Sequence, residues 1–224
     1  GGIDCDLNIG NVMQEFFNFI NILTNDVNQE SFKVDFINNA VKLSKSISNF
    51  SQKLYNIGMN TDNEIKADIV KLNSLIKELY DFNQVMLDKG KKSIDYLDNR
   101  DKLINQIAEY IDIDVIYADN GTVTLMYHNG LDLLDNNQYA VLNYNDVISN
   151  DICQAGLNQY SITLHHQSRN DKFGPYVLID NPQTAQMSKL DSGKILAQTH
   201  LRNAVIPDII FAMDSLADKV IHEV

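Results

Sequence analysis

His165 and His166 stand side by side in a chain of 224 residues with five histidines, so they are the first place to look for a metal ligand or a proton shuttle. A neutral imidazole can bind zinc or move protons near neutral pH. The run Ser161–His165 reads as a strand, however, and adjacent side chains of a strand face opposite sides, so the two rings cannot chelate one ion together. His128, His200 and His222 add no zinc-like spacing. Asp98, Asp101, Glu109, Asp112 and Asp114 crowd one stretch with the carboxylates that acid–base catalysis requires. In a chain of 30 acidic and 18 basic residues, a solvated acidic face accounts for them. There is no Gly-x-Ser-x-Gly elbow and no Walker loop, and Cys153 lacks the local signature of a thiol nucleophile. The expectation is a protein that is not an enzyme and has no catalytic, cofactor or metal residues.

The formal net charge of −12 would repel nucleic acid and anionic lipid alike, so no nucleic acid and no membrane is expected as a partner. Lys89, Lys91 and Lys92 form the densest basic cluster and read as a solvated helix terminus or linker. No run approaches the ~18 apolar residues of a membrane span, and no charged-then-apolar leader opens the chain. Cys5 and Cys153 are far apart and build no disulfide framework; free thiols are expected. The opening Gly1-Gly2 and an end inside a helical pattern suggest a piece of a longer protein.

The elements that would carry these residues are mostly helices. Val12, Phe16, Phe19, Ile20 and Leu23 mark an amphipathic helix over 9–23. Phe36, Ala40, Leu43, Ile47, Phe50, Leu54 and Ile57 begin a stripe that resumes at Ile65, Ile69, Leu72, Ile76, Leu79 and Met86. Counting Thr61 and Asn83 as seam positions, the repeat is about 3.57 residues, nearer a straight helix than a supercoil. One long helix is therefore expected, with a hairpin through Gly58–Asn63 as the alternative, because a central glycine costs only ~1 kcal/mol. Asn83 could set register, but a lone asparagine near a helix end reads first as exposed. A third helix covers Ile94–Ile111, with Leu97, Ile104, Ile107 and Ile111 inward.

The pattern then changes to period two. Val115 and Tyr117, then Val123, Leu125 and Tyr127, alternate around Asn120-Gly121, which predicts a hairpin with positive φ at both turn residues. Asn129-Gly130 marks a second turn, and further strands are expected at Tyr139–Tyr144, Ser161–His165 and Tyr176–Ile179. After Gly193 the chain returns to helix through Ile206, Ile209, Ile210, Met213, Leu216 and Val220, with Pro207 at a first turn or a kink. The fold class expected is mainly α: an elongated bundle of long helices (1–112 and 191–224) with a small antiparallel β region (113–190) inserted between them.

Arg100 and Asp101 are the one charged pair singled out by position. As neighbours on a helix they should diverge, and Tyr96, Leu97, Leu103 and Ile104, three and four residues away, offer no acid. Arg100 is expected to reach another helix or the hairpin within the chain, the alternative being a contact between subunits.

Three pieces occur in order: Leu97-x-x-Arg100-Asp101-x-Leu103-Ile104; Ile113-Asp114-Val115 with Asp119-Asn120-Gly121-Thr122-Val123; and Gly193-Lys194-Ile195-Leu196-Ala197 with Leu201-Arg202-Asn203-x-x-Ile206-Pro207 and Met213-Asp214-x-Leu216-Ala217. With Glu15-Phe16-Phe17-Asn18 near the start, this set resembles the flagellar hook-associated proteins of the hook–filament junction, the FlgK family. The chain departs from that family's pattern in having only Gly193, not a glycine pair, before the final Lys-Ile segment. The resemblance implies the middle helical domain of a structural adaptor between hook and filament, with the terminal polymerisation helices absent. It makes Arg100, Asp101, Asn120, Gly121 and Gly193 the structural motif residues. It further implies an extracellular flagellar protein exported by the type III route without a cleaved signal. The implied partners are hook protein and the second junction protein, with self-assembly only in the full-length form and a monomeric fragment here. The competing expectation is a helical ligand-binding or sensor module of a larger protein.

Overall fold

The structure, a computed structural model, describes residues 9–25, 30–89, 94–127, 130–147, 159–167, 176–179 and 192–223. Cys5, Cys153, Lys91 and Lys92 lie outside these residues. Five α-helices are described, α1 (Ile9–Asn25), α2 (Glu30–Lys89), α3 (Ile94–Tyr110), α4 (Lys194–His200) and α5 (Ile206–Glu223). They flank six strands, β1 (Ile113–Tyr117), β2 (Val123–Tyr127), β3 (Leu131–Leu134), β4 (Ala140–Val147), β5 (Gln159–His166) and β6 (Tyr176–Ile179). A π-helical turn, Leu201–Val205, joins α4 to α5. This is the mainly α fold expected, with small antiparallel sheets.

The stripe that opens at Phe36 lies on one helix. α2 runs through Gly58–Asn63 without a turn, so the hairpin alternative does not occur. The physical reason is that Leu54, Thr61 and Ile65 all stay on the buried side across the glycine, and their burial outweighs the ~1 kcal/mol helix penalty. Ile57 departs from the pattern: it is exposed, while Gly58 is buried. Pro207 lacks the N–H that a continuous α-helix would direct to the carbonyl of residue 203, and the turn just before it is wound as a π-helix.

The chain divides into two compact units, with one boundary inside α2, after Ile57, and the other between the π-helical turn and α5, after Val205. The first comprises residues 1–57 and 206–224, and so holds α1, the first part of α2, and α5. Among its described residues the buried apolar side chains are Phe16, Leu43, Leu54, Ile206 and Ile210. Phe16 stacks on Phe36 with ring centroids 5.6 Å apart, and an apolar groove is lined by Phe16, Phe36, Leu43, Ile47 and Val220. The surface ion pair between Lys42 and Glu15 adds little, since both side chains are half exposed.

The second unit comprises residues 58–205. It contains two three-stranded sheets, in the orders β1-β2-β3 and β4-β5-β6, all pairings antiparallel. The strand β3 was not expected; at four residues, with alternation only over Leu131-Asp132-Leu133, it is too short to carry a firm local strand signal. One hydrophobic core runs through the unit, from Ile65, Ile69, Leu72, Ile76 and Leu79 of α2 to Ile104 and Ile107 of α3. It continues through Val123, Leu125 and Tyr127 of β2, Leu142, Ile162 and Leu164 of β4 and β5, and Ile195 of α4. This shared core is why sheets and helices form one unit: each sheet buries one face, and the helices supply the cover.

Candidate functional site

The polar residues that this core leaves buried are the ones that position its parts. Asn83 is fully buried, contrary to the exposed reading. Its Nδ2 donates to the carbonyl of Val123 at 2.7 Å, and its Oδ1 accepts the Val123 N–H at 3.0 Å. Val123 opens β2, and its backbone groups on that side have no strand partner; the asparagine amide stands in for one, because it offers a donor and an acceptor in the geometry of a peptide group. Asn73 repeats the device ten residues earlier. Its Nδ2 donates to the Leu142 carbonyl and its Oδ1 accepts the Leu142 N–H, both at 2.8 Å, on the outer edge of β4. Gln84 adds a bond to the Asn136 carbonyl at 2.7 Å. One face of α2 thus fixes the register of both sheets against itself. Replacing Asn83 with leucine is expected to cost roughly 2–4 kcal/mol, since two buried backbone groups lose their partners. Urea denaturation followed by amide exchange at Val123 checks this; a cost below about 1 kcal/mol would mean that water takes the amide's place.

Two aspartates on the same helix anchor the returning segment. Asp62 receives Arg202 in a two-pronged pair, Nε to Oδ1 at 2.6 Å and Nη2 to Oδ2 at 3.1 Å, with Tyr144 Oη donating to Oδ1 at 2.9 Å. The Arg202 side chain is 1% exposed and that of Asp62 9%. Asp68 receives the Lys194 ammonium, at 3.0 Å on Oδ1 and 2.9 Å on Oδ2, and Gln198 Nε2 on Oδ2 at 2.7 Å. The hydrogen bond to Asp68 raises the Lys194 pKa above 10.5, against the opposing effect of burial. A raised folded-state pKa means that the pair's stabilisation is complete below pH 10.5 and fades as pH climbs through the higher folded value. Wild type and Lys194→Met should therefore differ in urea midpoint at neutral pH and converge in strong alkali. Because the Lys194 side chain is half exposed, the neutral-pH difference should be small.

The motif residues singled out by sequence lie in this same unit. Arg100 does not diverge from Asp101: Nε and Nη2 both bond Asp101 Oδ1, at 2.8 and 2.7 Å. The helical angle between the two Cα positions had excluded this, but the long, flexible arginine folds back over its own turn. The remaining prong, Nη1, donates to the Gly121 carbonyl at 3.2 Å, and the guanidinium lies 4.8 Å over the Tyr117 ring. Arg100 thereby holds the β1–β2 loop to α3.

That loop differs from the expected two-residue turn. Gly121 N–H donates to the Ala118 carbonyl and Ala118 N–H to that of Thr122, so the loop spans three residues, with Asp119 and Asn120 central to the turn and Gly121 at φ 90°. Asn120 Oδ1 accepts from the backbone and hydroxyl of Thr122 at 3.0 and 2.8 Å. Gly193 precedes α4 at φ 102°, and a Cβ there would lie 2.5 Å from the Tyr110 carbonyl oxygen.

The histidines separate as a strand requires. His165 Nδ1 meets Asn143 Nδ2 at 2.8 Å, and His166 is buried with Nε2 on the Asp132 carbonyl at 2.7 Å. Among the described residues no group of three or more His, Cys, Asp or Glu could hold a metal ion. No described helix is long and apolar enough to cross a membrane. Arg202 stood in a recognised motif without a physical role. Its partner Asp62 was readable only as a turn residue, although a carboxylate next to seam position Thr61, on a helix buried there, is a signal that a cation must arrive from elsewhere.

What these residues can do is hold geometry: amides pair with strand edges, and ion pairs join helix to helix. They form the internal polar framework of the second unit. The chain belongs to the family described as the flagellar hook-associated protein FlgK helical domain, whose model matches residues 4–224.

Flagellar hook-associated protein 1 of Bacillus subtilis (strain 168) is 25% identical over 142 residues, covering 61% of this chain and 28% of that protein. The protein of the same name from Buchnera aphidicola subsp. Schizaphis graminum is 28% identical over 109 residues, covering 46% of this chain and 20% of its own length. The solved structure of the flagellar hook junction protein FlgK from Burkholderia pseudomallei superposes with a TM-score of 0.68 at 14% identity, over 87% of this chain and 33% of that one. That likeness shows the fold. The chain thus spans less than a third of the curated relatives it matches.

Proposed function

We propose that this chain is the helical part of a hook–filament junction protein, a mechanical adaptor of the bacterial flagellum. The match of the family model to residues 4–224 carries the reading, and the geometry supports it. The polar groups buried in the strand-bearing unit tie helices to sheets, as expected of a domain that must keep its shape under load. In this reading Arg100, Asp101, Asn120, Gly121 and Gly193 are structural residues that preserve the subunit's form. Hook protein and a second junction protein are its neighbours, and the protein reaches the cell exterior by the flagellar type III route without a cleaved signal. The assembly contacts lie mainly in the rest of the full-length protein, so residues 1–224 alone stay monomeric, which sedimentation at high concentration checks.

The deciding experiment is deletion of the full gene in its own bacterium. Cells should build hooks that carry no attached filaments, and a plasmid copy should restore them. Wild-type numbers of attached filaments in the deletion strain would overturn the reading.

A further inference from the structure

β1 is the end strand of its sheet. Its ladder with β2 runs without a bulge through five pairs, from Ile113 with Tyr127 to Tyr117 with Val123. The β2–β3 and β5–β6 ladders, by contrast, are both broken by a register shift. The Ala118 N–H bond to the Thr122 carbonyl sets the phase of the ladder. In that phase residues 114 and 116 exchange bonds with β2, so the N–H and C=O groups of Ile113, Val115 and Tyr117 point away from the sheet.

Among the described residues no strand lies on that side, and no side chain caps it as Asn73 caps Leu142. The edge carries no lysine, proline or bulge, and the charges along it are all acidic. Ile116 and Tyr117 are 52% and 55% exposed along it. The Arg100 guanidinium lies 4.8 Å above the Tyr117 ring.

Charge indicates what would dock there. Residues 112–119 include Asp112, Asp114 and Asp119 and no lysine or arginine. We propose that the outer edge of β1 is a docking site for an extended, cationic segment of another protein, which adds to the sheet as a further antiparallel or parallel strand. Its main chain pairs with Ile113, Val115 and Tyr117, and its lysines or arginines face the aspartates. A second copy of this chain is the wrong occupant, because it would bring its own aspartates and a net charge of −12 to the same edge. The inference rests on the strand edge alone and is independent of the junction reading.

The probe is a synthetic peptide of about six residues, a common strand length, alternating lysine and valine. It is titrated into the 15N-labelled chain at low salt. Saturable shifts centred on Ile113, Val115 and Tyr117 are expected. A peptide with the same charges but N-methylated amides should bind at least ~10-fold more weakly, since strand addition depends on main-chain hydrogen bonds. Val115→Pro should produce a similar loss: it removes an outward N–H and leaves the β2 ladder intact.

Equal binding of the N-methylated peptide would reduce the effect to bulk electrostatics and overturn the proposal. So would equal binding of a glutamate-for-lysine peptide, absence of saturable binding, shifts centred elsewhere, or self-association of the chain through β1.

Discussion

Arg202→Met is expected to destabilise the strand-bearing unit by about 3–5 kcal/mol, the usual cost of stranding one member of a buried ion pair. Asp62 would lose its guanidinium partner and keep the Tyr144 hydroxyl, with its side chain 9% exposed. The loss comes from the abandoned carboxylate more than from the missing attraction, and this makes the prediction sharper. Replacing both residues, with Asp62→Leu added to Arg202→Met, should recover most of the stability, because two apolar side chains carry no desolvation penalty. Urea denaturation, with amide exchange followed in α4 and β4, distinguishes the two variants. If the single variant unfolds within about 1 kcal/mol of wild type, Asp62 has another route to satisfaction and the pair is ornamental.

The second large effect is expected at Gly193. An added Cβ would sit 2.5 Å from the Tyr110 carbonyl oxygen and 2.8 Å from Ile111 Cα, and both are backbone atoms that no rotamer change can move. The φ of 102° adds conformational strain for any L side chain. Crowding and strain together put Gly193→Ala at roughly 2–5 kcal/mol. Gly130→Ala is the control: φ there is 83°, but nothing lies within 4 Å of the new carbon, so only the strain of about 1–2 kcal/mol applies. The difference between the two melting shifts measures how closely α3 and the start of α4 must approach. Equal shifts would mean that α4 can back away from Tyr110 without cost.

How far the sequence could be read depended on how local each signal was. The α2 stripe was legible from Phe36 to Met86 because a helix repeats every 3.6 residues, whatever packs against it. Its period also favoured one helix over a hairpin, as observed. The β1–β2 hairpin was legible from alternation and Asn120-Gly121, but the loop's length was not. That depends on whether Gly121 or Asn120 takes the left-handed position, which the pair of residues leaves open. Asn83 shows the opposite case. An asparagine on an apolar seam is a conflict that only the backbone of Val123, forty residues away, resolves. Arg100 was expected to reach another helix or the hairpin and meets the hairpin loop at Gly121, but its bond back to Asp101 was excluded by reasoning on Cα directions alone.

By itself, then, the sequence determined the helices, most of the strands, the absence of the familiar catalytic motifs and, through its ordered motifs, the family. Hydrophobic period and turn chemistry act over a few residues, and motifs survive as short strings. The tertiary structure alone decided which buried polar groups meet. The Asp62–Arg202 pair spans 140 positions and the Asp68–Gln198 bond 130. It also decided that helices and sheets of the second unit share one core, and that among the described residues no strand pairs with the outer edge of β1. Such outcomes depend on burial, which removes water as a partner and forces each polar group to find one wherever the chain happens to return.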